Sequence, residues 1–145
     1  MSYRNLLIII LIQASLAMLG SLYFSNFWDP LNGLFSGTGF EPCHLCWRGR
    51  ILMYPLVAIS AYGLIRKDKG ICFLTGALSL VGVLLAGYHY LIQHQASLNV
   101  FSCQAGNDCT HIGWHVGFVT IPFLELVAFA LILTCSILML VRRKK

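Results

Sequence analysis

The chain has 145 residues, of which 58% are hydrophobic and only 10% charged, with six cysteines and a formal charge of +5. That balance excludes a soluble domain of this length, and the length itself leaves room for one unit. The cations are gathered at Arg4, at Arg66, Lys67 and Lys69, and at Arg142, Arg143, Lys144 and Lys145, with Arg48 and Arg50 the remaining two. Such clustering at segment ends argues against a nucleic-acid-binding face and for membrane topology.

Four apolar runs, 6–24, 51–65, 71–92 and 121–141, reach or approach the ~20 residues that a helix needs to cross ~30 Å of hydrocarbon. The first is too long for a signal-peptide core and lacks a small-x-small cleavage site after Gly20, so a retained span is expected. The loop that follows carries turn signals at Asp29-Pro30, Asn32-Gly33 and Ser36-Gly37, and Phe27, Trp28 and Phe35 suit the headgroup layer. The second run alone would be only about 22 Å long at 1.5 Å per residue. To cross before Arg66 its helix must begin near Pro42–Cys46, with Pro42 in the first turn and Glu41 complementing the N-terminus. The third run carries a stripe of small residues, Gly76, Ser79, Gly82 and Ala86, over which a neighbouring helix can approach closely. Residues 110–120 are expected along the membrane surface, and the fourth span starts near Pro122.

The expected fold is therefore an all-α integral membrane protein. It is a single domain of four transmembrane helices (6–24, 43–65, 71–92, 121–141) with two outer loops, 25–42 and 93–120. The positive-inside rule puts both termini and the 66–69 turn in the cytoplasm, since 93–120 contains no Lys or Arg. Cys43, Cys46, Cys103 and Cys109 then all face outward, where disulfides persist.

Cys43 and Cys46, spaced i and i+3, share a face of the second helix, and Arg50, i+4 from Cys46, lies on that face. Arg48 is only two residues from Cys46 and points away, as an interfacial anchor would. A thiolate in this turn is favoured both by the helix N-terminus and by the Arg50 guanidinium, which is also placed to donate to quinone carbonyls. Five residues separate Cys103 from Cys109, and Gly106-Asn107 can turn the chain back so that the two bridge. Such a bridge could be a structural staple worth about 2 kcal/mol or part of a thiol relay. A zinc site from the cysteines with His44 or His111 is weighed against the oxidising location, and no metal is expected. Cys72 and Cys135 read as packing residues. His89, in the Tyr88-His89-Tyr90 triplet, is either a quinone contact or a structural interface histidine; Gln93 and His94 are weaker candidates, and Glu125 is an unassigned intramembrane carboxyl.

The order of four spans, P-C-x-L-C-W-x-x-R opening the second (Pro42 to Arg50), Tyr-His-Tyr ending the third, a cysteine pair in the next loop and a proline opening the fourth resembles the DsbB/BdbC family of disulfide-bond formation proteins. The short Cys103–Cys109 spacing is closer to the BdbC branch. In the related vitamin K epoxide reductase group the loop cysteines precede the C-x-x-C, whereas here they follow it. The resemblance implies a quinone-dependent thiol oxidase of the plasma (inner) membrane. Its partners would be an extracytoplasmic DsbA/BdbD-like protein of thioredoxin fold and a membrane pool of ubiquinone or menaquinone. It further implies that the partner attacks the Cys103–Cys109 disulfide at Cys103, that Cys109 attacks Cys43, and that Cys46 faces the quinone with Arg50 and His89 near it. A vitamin K epoxide reductase-like activity and a non-enzymatic scaffold with structural disulfides are the alternatives.

Overall fold

Four helices of nearly equal length carry the chain through a computed structural model that describes residues 2–26, 42–95, 109–110, 112 and 114–143. They are α1 (Tyr3–Asn26), α2 (His44–Arg66), α3 (Ile71–His94) and α4 (Ile121–Arg143), each of 23 or 24 residues. At 1.5 Å per residue each is about 35 Å long, enough to span hydrocarbon. The first helix extends its expected run at both ends, the third and fourth extend theirs by two residues at the C-terminal end alone, and the second begins well before its apolar stretch. α1, α3 and α4 are apolar enough throughout to cross a membrane. α2 matches them in length but carries Arg48, Arg50 and Arg66.

Helices adjacent in sequence pack side by side and α4 closes against α1, so α2 and α4 face each other across a diagonal. The α2–α3 connection is a tight turn in which Lys67 caps α2 at φ 54° and Asp68 Oδ1 accepts from the Gly70 N–H at 2.7 Å. Tyr3 Oη donates to the Asp68 carbonyl at 3.0 Å, which ties the start of α1 to that turn. Arg4, Arg66, Lys67, Lys69 and the C-terminal end of α4 consequently share one end of the bundle.

The distribution of side chains is that of a protein dissolved in lipid. Large apolar residues such as Leu16, Leu19, Ile65, Phe73, Leu84 and Leu131 lie outward, whereas Ser60, Thr75, Ser79 and Ser136 are fully buried. Those hydroxyls are satisfied without water: Ser60 bonds the Leu56 carbonyl, Ser79 the Thr75 carbonyl and Ser136 the Ile132 carbonyl at 2.6–2.9 Å. Thr75 Oγ1 also meets Ser136 Oγ at 2.9 Å, joining α3 to α4.

The small stripe of α3 faces α4 as its spacing implies. A side chain at Gly82 would overlap the Phe129 ring, and one at Gly76 would touch Ser136 Cβ at 3.5 Å. Cys72 and Cys135 belong to the same core, Cys72 donating to the Lys69 carbonyl at 3.0 Å.

The sequence reading placed 110–120 along the surface. The described part of it folds into a small antiparallel hairpin, β1 (His115–Val116) and β2 (Val119–Thr120), paired His115 to Thr120 and Val116 to Val119. Gly117 takes φ +63° at the first position of its two-residue turn, a conformation that glycine adopts without a Cβ penalty. Trp114 meets Phe24 in a tilted ring contact at 5.2 Å, and Phe118 and Phe123 meet edge to face at 5.5 Å, so rings pin the hairpin over α1 and α4. The loop signals at Phe27, Trp28, Asn32-Gly33, Phe35 and Ser36-Gly37, with Glu41, lie outside the described residues.

Gly82→Ala is expected to destabilise the bundle by about 1–3 kcal/mol, the usual cost of forcing a methyl into a full contact. Thermal unfolding in detergent should show the loss, and Phe129→Leu in the same chain should recover part of it.

Candidate functional site

α2 opens with Cys43 as its N-cap, not with Pro42 in its first turn. Cys43 has extended backbone (φ −66°, ψ 169°), its carbonyl accepts the first helical bond from the Trp47 N–H at 3.0 Å, and its sulfur accepts from the Cys46 N–H at 3.5 Å. Pro42 thus precedes the cap. The physical reason is that a sulfur, unlike a proline ring, can take up one of the orphan N–H groups of the first turn.

The capping geometry turns the two sulfurs toward each other. Cys43 Sγ and Cys46 Sγ are 3.3 Å apart, a dithiol in hydrogen-bond contact. His89 reaches across from α3 and sets its Nε2 3.7 Å from Cys43 Sγ. It is 2% exposed, and its Nδ1 is buried with no hydrogen-bond partner among the described residues. Of the Tyr88-His89-Tyr90 triplet, His89 is the one that meets the cysteine pair. Tyr90 turns away, its hydroxyl 3.4 Å from the Phe118 carbonyl and its ring against His94 and Phe123. Tyr88 packs with Cys43 and Leu85 against a small buried cluster of Leu45, Ile92 and Cys109. Cys109, 1% exposed, is therefore brought to the mouth of α2 beside the first pair. Cys103 and His111 lie outside the described residues.

Arg50 faces inward while Arg48 is exposed, as their spacing implies. The hydrogen bonds of Arg50, however, go to α1: one guanidinium nitrogen donates to the Ser21 carbonyl at 3.1 Å and to Ser25 Oγ. Its guanidinium also lies over the Trp47 ring at 5.4 Å. Toward Cys46 it acts through charge rather than through a hydrogen bond. Arg50 Nε and, one turn further along α2, the Tyr54 hydroxyl are both buried without a partner among the described residues. The sequence reading passed over Tyr54, although its i+4 spacing from Arg50 and i+8 from Cys46 marks the same helical face.

Glu125 completes the arrangement. Its carboxyl rests on Gly49, where any side chain would overlap it, and it lies within electrostatic reach of Cys46 and Arg50. Gly49 thereby opens a place where α4 reaches across the bundle diagonal toward α2.

A vicinal dithiol at the mouth of an apolar helical bundle, with a buried carboxyl and guanidinium beneath it, defines a membrane thiol-redox protein. The chain matches the family model described as disulfide bond formation protein DsbB over residues 3–139, and it belongs to that family. It is 40% identical over 140 residues to a probable disulfide formation protein C of Halalkalibacterium halodurans, with 94% of each chain covered. It is 38% identical to two proteins of Bacillus subtilis. One is a prophage-derived disulfide bond formation protein B, with 86% of each chain covered. The other is disulfide bond formation protein C, with 84% of this chain and 83% of the relative covered. No solved structure matches the chain.

With its sulfurs already in contact, the first pair is expected to close without rearrangement. In a Cys103→Ser/Cys109→Ser chain, mild diamide treatment should give a Cys43–Cys46 disulfide at near-complete yield, read by mass spectrometry of alkylated peptides, with Cys72 still unmodified.

Proposed function

We propose that this protein is a quinone-dependent thiol oxidase that reoxidises an extracytoplasmic disulfide donor of thioredoxin fold. The observation that carries the proposal is the meeting of Cys43, Cys46 and buried Cys109 at one end of the bundle, directly above buried donors that lack partners. The opposite end holds Arg4, Arg66, Lys67 and Lys69, which under the positive-inside rule supports a reading with the cysteines outside and both termini in the cytoplasm of a cell membrane.

The relay runs by thiol–disulfide exchange. The partner's thiolate attacks the Cys103–Cys109 disulfide at Cys103, which frees Cys109 as a thiolate. Cys109 attacks Cys43 of the Cys43–Cys46 disulfide, and Cys46 leaves as a thiolate. The partner's second thiol then releases Cys103, which attacks Cys109, re-forms the Cys103–Cys109 disulfide and frees Cys43, so that the first pair is left as the dithiol. The Cys46 N–H, held at the Cys43 sulfur by the N-cap, and the N-terminal end of α2 favour negative charge in this turn.

A quinone carries two carbonyl acceptors and an apolar ring. The described residues fit such a group, because Arg50 Nε and Tyr54 Oη are buried donors awaiting acceptors and Trp47 supplies a flat apolar face. Arg50 would hold it, with His89 at the dithiol side. When bound, a quinone accepts two electrons from the dithiol and is the oxidant that each exchange step ultimately requires. Ser21 and Ser25 keep the Arg50 guanidinium in place from α1, and Glu125 is placed to take up a proton close to Cys46.

Cys46→Ser should abolish quinone-dependent oxidation of a reduced thioredoxin-fold partner, followed as quinone absorbance, and normal turnover by that variant would refute the proposal. Arg50→Gln should raise the KM for quinone by about tenfold, the worth of ~1.4 kcal/mol, with the KM for the protein partner unchanged.

A further inference from the structure

The dithiol and His89 form an arrangement that disulfide exchange alone does not require. Cys43 Sγ, Cys46 Sγ and a histidine nitrogen lie within 4.8 Å of one another, contributed by the N-cap and first turn of α2 and by α3. Tetrahedral zinc with Zn–S of about 2.3 Å and Zn–N of about 2.0–2.1 Å sets its ligands about 3.8 Å apart for two sulfurs and about 3.6 Å apart for sulfur and nitrogen. The corresponding separations here are 3.3 Å between the sulfurs and 3.7 Å from Cys43 Sγ to His89 Nε2. With Cys46 Sγ also within 4.8 Å of the histidine nitrogen, side-chain rotation with the backbone in place would admit the ion.

The environment fits as well. Two thiolates neutralise Zn²⁺, so the loaded site carries no net charge into a poorly hydrated setting, where an unpaired charge would be costly. His89 is almost fully buried, and its Nε2 meets Cys43 Sγ at 3.7 Å while its Nδ1 has no hydrogen-bond partner among the described residues. Its imidazole is thus committed to the sulfurs rather than to the backbone.

We infer that the reduced form of this protein is a zinc site, with Cys43, Cys46 and His89 as ligands and a fourth position open to water. Binding releases the two thiol protons and changes no oxidation state. The disulfide form offers no thiolates and does not bind, so the site is gated by redox state. Zinc occupies both sulfurs that must otherwise close into a disulfide and therefore acts as a reversible inhibitor of the reduced chain. The inference shares residues with the proposed oxidase activity but not its chemistry, and zinc stoichiometry reads it without any quinone or protein partner.

The test uses the full chain in detergent, reduced and freed of reductant under anaerobic conditions, then titrated with Zn²⁺ against a chromogenic chelator and separately with Co²⁺. The reduced chain should take up one Zn²⁺, and Co²⁺ should give a near-ultraviolet thiolate charge-transfer band with intense tetrahedral visible bands. The oxidised chain should show neither. The Cys103→Ser/Cys109→Ser chain should bind as the parent does, while Cys46→Ser should lose the charge-transfer intensity and His89→Ala should weaken zinc binding tenfold or more. X-ray absorption of the parent zinc form should give two sulfurs and at least one imidazole nitrogen, which tests His89 even if its alanine variant folds poorly. Binding that disappears with Cys103 and Cys109, equal binding by the oxidised chain, or a shell without imidazole would overturn the inference.

Discussion

A helix bundle in lipid gains little by burying apolar side chains, because the solvent outside is as apolar as the core. What holds it is close approach, and close approach needs small residues where helices meet. Gly82 admits the Phe129 ring between α3 and α4, the Thr75–Ser136 hydroxyl contact locks the same pair lower down, and Gly49 admits Glu125 across the bundle. Each of these contacts sets the depth and rotation of a helix, and the dithiol site follows from those settings. The contact between His89 and Cys43 depends on the rotation of α3, which its small stripe dictates by facing α4.

The site's polarity is arranged with the same economy. In a medium without water, Cys43 serves as helix cap as well as thiol, and Ser21 and Ser25 of α1 take the bonds that Arg50 would otherwise seek from water. Among the described residues the buried polar atoms without a hydrogen-bond partner include Arg50 Nε and Tyr54 Oη, on the helix that carries the dithiol, and His89 Nδ1, on the ring whose other nitrogen meets Cys43. Buried polar groups are ordinarily satisfied, so unsatisfied ones are a mark of a binding surface. The zinc inference draws on the last of these groups from the sulfur side.

Helix lengths, the early start of α2, the close-packing stripe of α3 and the inward direction of Arg50 were legible in the chain, because helical period and hydrocarbon thickness are both fixed numbers. The hairpin at 115–120 was not, since two-residue strands leave no periodicity and only Gly117 marked the turn. Nor was the N-cap role of Cys43, which rests on a sulfur replacing the usual oxygen acceptor.

Sequence by itself picked out the candidates for chemistry: the C-x-x-C, the second cysteine pair, Arg50 and the histidine of the Tyr-His-Tyr triplet, of which the described ones, Cys43, Cys46, Cys109, Arg50 and His89, lie toward one end because the helices alternate in direction. Only the tertiary structure decided which of them meet. Arg50 pairs with α1 because the end of that helix lies alongside the start of α2. His89 rather than either tyrosine faces the sulfurs because of the rotation of α3. Glu125 reaches Cys46 and Arg50 because Gly49 leaves space across the diagonal. Those are contacts between elements far apart in the chain, and no local spacing rule encodes them.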